Sequence, residues 1–222
     1  MGPAEERWLE GSVVVVTAGG TREPIDPVRY LGNRSSGKMG NELAVAAARA
    51  GARVLLITAA EAQPDLPGVE VTRLSTADEM HAAVRRSLAG ARLLIMAAAV
   101  ADWRPVGVAS QKLKKRPGEW TLTLVPTVDI LAALRDDPLR QGVFVVGFAA
   151  ESEDALINAE AKLRDKALDL IVVNDVSRAG IGMGADDNEV TVIDAEGVVA
   201  TIARAPKAQV AAAILRAIRP RL

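Results

Sequence analysis

The sequence predicts an α/β fold: a Rossmann-like, mostly parallel sheet with helices on both faces, a long loop placed to serve a site, and a C-terminal β-hairpin. Three observations carry this. Five short runs are apolar at consecutive rather than alternate positions, the pattern of strands buried on both faces. Alanine-rich amphipathic stretches separate them, and alanine is the strongest helix former. The two kinds of segment alternate, and parallel neighbours need crossovers that return over the sheet.

The first strand is predicted at Ser12–Thr17, where four valines run together, and the first helix at about Ser36–Ala50. A strand at Arg53–Thr58 and a helix at Thr76–Leu88 follow, then a strand at Arg92–Met96. The stretch Ala97–Gly118 is a long connection containing Pro105, Pro117 and a lysine cluster; Glu119–Val125 alternates and reads as an exposed strand or hairpin arm. A short helix is expected at Val128–Arg135, a strand at Val143–Gly147, a helix at Glu153–Ala167 and a strand at Asp169–Val173. Glu189–Asp194 and Val198–Ile202 flank Ala195-Glu-Gly197 as a hairpin, and a helix at about Pro206–Ile218 closes the chain. No repeat and no domain-separating linker occurs, so residues 1–222 are expected to form one domain with its core at about 11–218.

Composition removes several kinds of chemistry. The chain has no cysteine and a single histidine, His81, so it has no disulfide framework, no thiolate metal site, no cysteine nucleophile and no histidine cluster. Its net charge of -1 argues against a general nucleic-acid or membrane surface, and 3% aromatic content against base stacking along a platform. No run reaches ~18 apolar residues and the first residues lack the order of a signal peptide, so a soluble, cytoplasmic protein is expected.

In open α/β sheets ligands sit beyond the carboxyl ends of the strands, and here the loops at those ends are polar or glycine-rich. Gly32-Asn-Arg-Ser-Ser-Gly-Lys38 has the spacing of a phosphate-binding P-loop, but Met39 stands where a hydroxyl should be and the preceding strand ends about fifteen residues too early. The physics of an anion site survives: Ser35 and Ser36 can cap the helix, Gly37 permits close approach, and free N–H groups at a helix start attract phosphate. An ordinary serine-capped helix beside a surface lysine is the plainer reading. Asp102, after the small residues Ala97-Ala-Ala-Val-Ala101, is suited to a ribose hydroxyl, a magnesium ion or the capping of a turn. Lys112, Lys114 and Lys115 form either a solvated charge run or a loop that closes over a polyphosphate. Lys162 and Lys166 share one helix face, facing either exposed acids such as Glu160 or the site. A nicotinamide-dependent oxidoreductase of Rossmann type is the alternative enzyme class, though no Gly-x-Gly-x-x-Gly follows the first strand and Tyr30 has Arg34 rather than lysine four residues on.

Together, Thr17-Ala-Gly-Gly-Thr-Arg-Glu-Pro-Ile-Asp-Pro-Val-Arg-Tyr-Leu-Gly-Asn-Arg-Ser-Ser-Gly-Lys-Met-Gly40, Ala97-Ala-Ala-Val-Ala-Asp102, Lys112-Leu-Lys-Lys115, Gly147-Phe-Ala-Ala-Glu151 and Asn174-Asp-Val-Ser177 resemble the phosphopantothenoylcysteine synthetases over about residues 11–215. The resemblance implies a step of coenzyme A biosynthesis. The carboxylate of 4'-phosphopantothenate attacks CTP to give an acyl-cytidylate and pyrophosphate, and the amine of L-cysteine then displaces CMP. Bacterial-type members use CTP with Mg2+. By matching motifs, Asn33 would handle the intermediate, and Arg29, Asn33 and Ala98 would hold the phosphopantothenoyl part. Lys112 would act on the triphosphate. Asp102, Val128, Asp129, Ile130, Leu131, Phe148, Lys162 and Lys166 would contact CTP, with the Ser35-Ser36-Gly37 turn beside them and Asp102 near the metal. The resemblance further implies a homodimer, and Trp8-Leu-Glu-Gly11 is similar to the join that follows a flavin-dependent decarboxylase in bifunctional members. The chemistry suits the composition, because a carboxylate is already ionised at pH 7 and its first attack needs no general base.

Overall fold

The computed structural model describes residues 7–62, 64–115, 117–151, 155–175 and 184–222. β1 (Val13–Ala18) lies inside the sheet, with every side chain from Val14 to Ala18 buried. Burying a valine or leucine contributes roughly 1.5–3 kcal/mol, which exceeds the ~1–2 kcal/mol cost of fixing one residue's backbone. Consecutive apolar residues therefore select an interior strand. The chain continues through β2 (Arg22–Pro24), β3 (Tyr30–Gly32), α1 (Lys38–Arg49), β4 (Arg53–Thr58), β5 (Val69–Arg73), α2 (Ala77–Ser87) and β6 (Ala91–Met96). Next come β7 (Trp103–Pro105), β8 (Leu124–Pro126), α3 (Ile130–Leu134), β9 (Phe144–Glu151), α4 (Ala155–Asp165) and β10 (Leu170–Asp175). β11 (Asp187–Asp194), β12 (Gly197–Pro206) and α5 (Lys207–Ile218) complete it.

The main sheet runs β12-β11-β10-β9-β6-β1-β4-β5, parallel from β5 to β10 and antiparallel through the hairpin β11–β12. Successive side chains divide between its faces. Val14, Val16, Leu93 and Ile95 pack with α1 and α5, whereas Val15, Leu94 and Met96 pack with α2, α3 and α4. This period of two across fully apolar strands is the expected α/β sandwich.

Three local expectations needed correction. β5 is an additional parallel edge strand; four of its five residues are exposed, so it has no apolar run to announce it. β2 and β3 pair as a small antiparallel ribbon inside what read as one irregular loop. Of Glu119–Val125 only the end is paired, Leu124 and Val125 in the ribbon β7–β8 and Thr123 O by a bond from Val106 N–H at 3.1 Å. The first residues of the helix expected from Glu153, together with Val176 and Ser177 of the Asn174–Ser177 motif, lie outside the described residues. Among the described residues no helix is long and apolar enough to cross a membrane.

Candidate active site

β1 turns into α1 and β4 on one side of the sheet, while β6 leads on to β9 on the other, so the order reverses between β1 and β6. A crevice opens at such a reversal because the two crossovers leave on opposite faces. It is lined here by a pocket of about 540 Å3, within the range of small-molecule sites.

The loops after β1 and β6 are fastened to each other. The Ala99 N–H donates to Gly19 O at 2.8 Å and the Thr21 N–H to Ala99 O at 3.2 Å, extending the parallel pairing past the strand ends. Two buried threonine hydroxyls accept from the same loop, Thr17 from Ala98 N–H at 3.1 Å and Thr21 from Ala101 N–H at 2.8 Å. Asn33 adds a third fastening: its Nδ2 donates to Val100 O at 3.0 Å and Ala99 O at 3.4 Å. Two carbonyl acceptors identify that end of the amide as nitrogen. Its N–H groups are thereby engaged, and Oδ1 is the end able to accept from a ligand.

The helix start also differs from expectation. Neither Ser35 nor Ser36 caps α1; the N-cap is Gly37, in the left-handed region at φ 78, with no side-chain cap. A side chain at Gly37 would in addition place its Cβ 2.5 Å from Ala60 Cβ. The first-turn N–H groups of α1 are thus left to whatever occupies the pocket, which Gly37, Lys38, Met39 and Gly40 line.

On the far side, β7–β8 closes the base of the long loop. Thr127 N–H donates to Asp102 O at 2.9 Å, which brings Val128, Asp129, Ile130 and Leu131 to the pocket beside Asp102. Asp129 caps α3, accepting from Ala132 N–H at 3.1 Å, and its other oxygen meets Lys166 Nζ at 3.0 Å. Phe148, Lys162 and Lys166 complete that wall.

Twelve of the expected site residues therefore meet in one pocket: Asn33, Ser35, Gly37, Ala98, Asp102, Val128, Asp129, Ile130, Leu131, Phe148, Lys162 and Lys166. Arg29, Ser36 and Lys112 do not line it. Arg29 instead meets the Asp26 carboxylate, and Lys112 lies exposed in the long loop.

Two lining residues escaped the sequence reading. Asn188, just before the expected hairpin strand, is buried on β11 and donates to Met39 Sδ at 3.7 Å. Lys207 is 6% exposed at the start of α5, donates to Ala185 O and lies near Lys38, whose Nζ meets Asp186 at 2.5 Å. Burial, then the Lys38 charge, holds the Lys207 ammonium below the ordinary lysine range. A signal was present: Lys207 shares the helical stripe of Val210, Ala211, Ile214, Leu215 and Ile218, where a lysine is out of place.

For magnesium the described residues hold no group of three or more candidate ligands. Magnesium commonly keeps its waters and takes one or two carboxylates plus substrate phosphates, so the single carboxylate of Asp102 fits a metal that arrives with a nucleotide.

Residues 9–221 match the model of the DNA/pantothenate metabolism flavoprotein C-terminal domain. The chain is 46% identical over 190 residues to the coenzyme A biosynthesis bifunctional protein CoaBC of Bacillus subtilis (strain 168), which is 85% of this chain and 46% of that protein. It is 39% identical over 214 residues to a cysteine/cysteine sulfinic acid decarboxylase of an unknown prokaryotic organism, 96% of this chain and 59% of that one. The chain thus spans about half the length of the curated relatives it matches. Among solved structures, the C-terminal domain of a coenzyme A biosynthesis bifunctional protein CoaBC superposes with a TM-score of 0.81 at 34% identity, covering 97% of this chain and 98% of that domain. None of these relatives supports the oxidoreductase alternative. By sequence and by fold, the chain belongs to the DNA/pantothenate metabolism flavoprotein C-terminal domain family.

Proposed function

We propose that the chain ligates 4'-phosphopantothenate to L-cysteine through an acyl-cytidylate, using CTP and Mg2+, in coenzyme A biosynthesis. The observation that carries this is one pocket at the β1/β6 reversal that combines the uncapped start of α1 with Lys38, Lys162, Lys166 and Lys207. A carboxylate and a triphosphate repel each other, and a site that joins them must supply cations and N–H donors on several sides. Holding them in line then supplies the orientation term.

In the first step a carboxylate oxygen bonds to the α-phosphorus while the bond from that phosphorus to the departing pyrophosphate oxygen breaks. When bound, magnesium neutralises phosphate charge, and Asp102 is the residue that would hold it. In the second step the neutral cysteine amine bonds through nitrogen to the acyl carbon, the bond to CMP breaks with its electron pair leaving on the CMP phosphate, and the nitrogen's proton passes to solvent. The Asn33 Oδ1, with Nδ2 pinned to Ala99 and Val100, can accept from the incoming amine and aim its lone pair at the carbonyl. Arg29 and Ala98 serve the phosphopantothenoyl part, and Lys112 the triphosphate. The reading includes a homodimer. Tyr30 and Val28 around the β2–β3 ribbon, with Trp103, Val106 and Trp120 around β7–β8, are all at least half exposed and give a second copy an apolar surface.

The test is incubation with 4'-phosphopantothenate, L-cysteine, CTP and Mg2+, followed for pyrophosphate, CMP and amide, with ATP as the competing nucleotide. Stoichiometric release of all three products is expected. Tight CTP binding with no pyrophosphate release would sink the ligase reading. Asn33→Ala should depress amide formation more than pyrophosphate release; equal loss of both would remove Asn33 from the second step.

A further inference from the structure

The turn between β2 and β3 holds a buried carboxylate that the pocket does not use. Asp26 has a side chain with no exposed surface, and four groups converge on it. Val28 N–H and Arg29 N–H each donate to Oδ1 at 2.9 Å. The Arg29 guanidinium donates to Oδ2 through Nε at 3.0 Å and Nη2 at 2.5 Å. The remaining donor comes from far along the chain, the Leu113 N–H, at 3.1 Å from Oδ2. Arg29 closes the circuit by donating from Nη2 to Leu113 O at 2.8 Å, and its guanidinium lies 5.0 Å over the Trp120 ring. Ala109 N–H donates to Ile25 O at 3.0 Å, so the long loop is tied to this turn at two points.

We propose that Asp26 is a positioning residue for catalysis: with Arg29 it clamps the backbone of Leu113 on both its N–H and its carbonyl, and so sets where the adjacent Lys112 is held. The proposal rests on the reading that Lys112 acts on the triphosphate. Leu113 is one residue from Lys112, and a backbone gripped on both sides restricts its neighbour far more than a lysine side chain can restrict itself. The guanidinium beside it holds the Asp26 carboxyl well below the usual carboxylate range, so the clamp stays charged throughout the neutral range. Arg29 takes two parts in this arrangement. The residue expected to touch phosphopantothenate is also the one that grips the triphosphate loop, which links the two substrate sites through one side chain.

Two measurements on the whole chain test this. Trypsin cleavage after Lys112, Lys114 and Lys115, timed without substrates, reads release of the loop directly; loss of a charge-assisted clamp should raise it by about 10-fold or more in Asp26→Ala, and by less in Asp26→Asn, which keeps an acceptor for Leu113 N–H. Unchanged cleavage in both variants overturns the clamp, and this outcome is independent of whether the ligase reading holds. The second is a double-mutant cycle on pyrophosphate release. If Asp26 acts through Lys112, Asp26→Asn costs about 10-fold or more in kcat/KM in the parent and less than about 3-fold in a Lys112→Ala background. Losses that multiply show that Asp26 does not work through Lys112 and overturn the proposal.

Discussion

Replacing Gly40 with alanine tests how closely α1 must approach β1 for the site to work. Gly40 faces the end of β1 in the first turn of α1. An added Cβ would lie 2.6 Å from Ala18 Cβ, 2.7 Å from Thr17 O and 3.0 Å from Ala18 Cα. Two carbons attract at about 3.5–4.0 Å, so the helix start would have to withdraw by about 0.9 Å. The strand cannot yield instead, since β1 is paired on both sides, with β4 and β6. Alanine's helix propensity returns ~1 kcal/mol against an overpacking cost of ~1–3 kcal/mol, so the net loss of stability is about 0–2 kcal/mol. The effect on catalysis should be larger, because Lys38 and the first-turn N–H groups move with the helix, and a displacement near 1 Å can cost about 100-fold in rate. Urea melts paired with pyrophosphate release separate the two quantities. Gly40→Ala is expected to stay folded while losing activity far beyond its small stability change. A variant as active and as stable as the parent would refute the reasoning, since the contact would then be slack.

Asp129→Ala should lower stability by about 1 kcal/mol through loss of the α3 cap, whereas Asp129→Asn keeps an acceptor for Ala132 N–H and should lose clearly less; equal midpoints in urea for the two variants would remove the cap from the account. Lys207 gives a pH signature. Its folded value is lowered, so between that value and the ordinary ~10.4 the unfolded chain carries a proton that the folded chain lacks, and stability must rise with pH across this alkaline window. Lys207→Met should flatten that rise, and parallel curves of urea midpoint against pH for parent and variant would show that Lys207 is not its source.

What was legible in the sequence follows from how each element is stabilised. β1, β4, β6, β9 and β10 carry their own signal, because strands covered on both faces must be apolar throughout. α2 is marked at its start by Thr76 and Glu79, which form a reciprocal capping box. β5 carries no such signal, for it is held by backbone pairing to β4 at the sheet edge while its side chains face water. The β2–β3 ribbon escaped for another reason: three residues a side are too few to show a period, and Asp26, which forms its turn locally through Val28 and Arg29 N–H, is also anchored by the distant Leu113 N–H.

The site shows the same division between local and assembled information. Residues on the loop that directly follows β6, such as Ala98 and Asp102, could be placed at the carboxyl edge from order alone, since the sheet fixes where that loop emerges, whereas Asn33 follows the small β2–β3 ribbon and was marked only by the resemblance. Lys207 and Asn188 come from the last hairpin and helix, and they reach the pocket only because β11 turns antiparallel beside β10 and sets α5 against α1. That arrangement puts a buried ammonium near Lys38, and its bond to Ala185 O with the nearby Asp186 and Asp187 carboxylates offsets only part of the cost of burying it, since the net effect still lowers its proton affinity. An arriving phosphate would relieve the repulsion between the two ammonium groups. On the proposed reading, a phosphate bound between Lys38 and Lys207 would offset that cost, and so give a lysine a use at a place on the apolar stripe of α5 that leucine would otherwise fill.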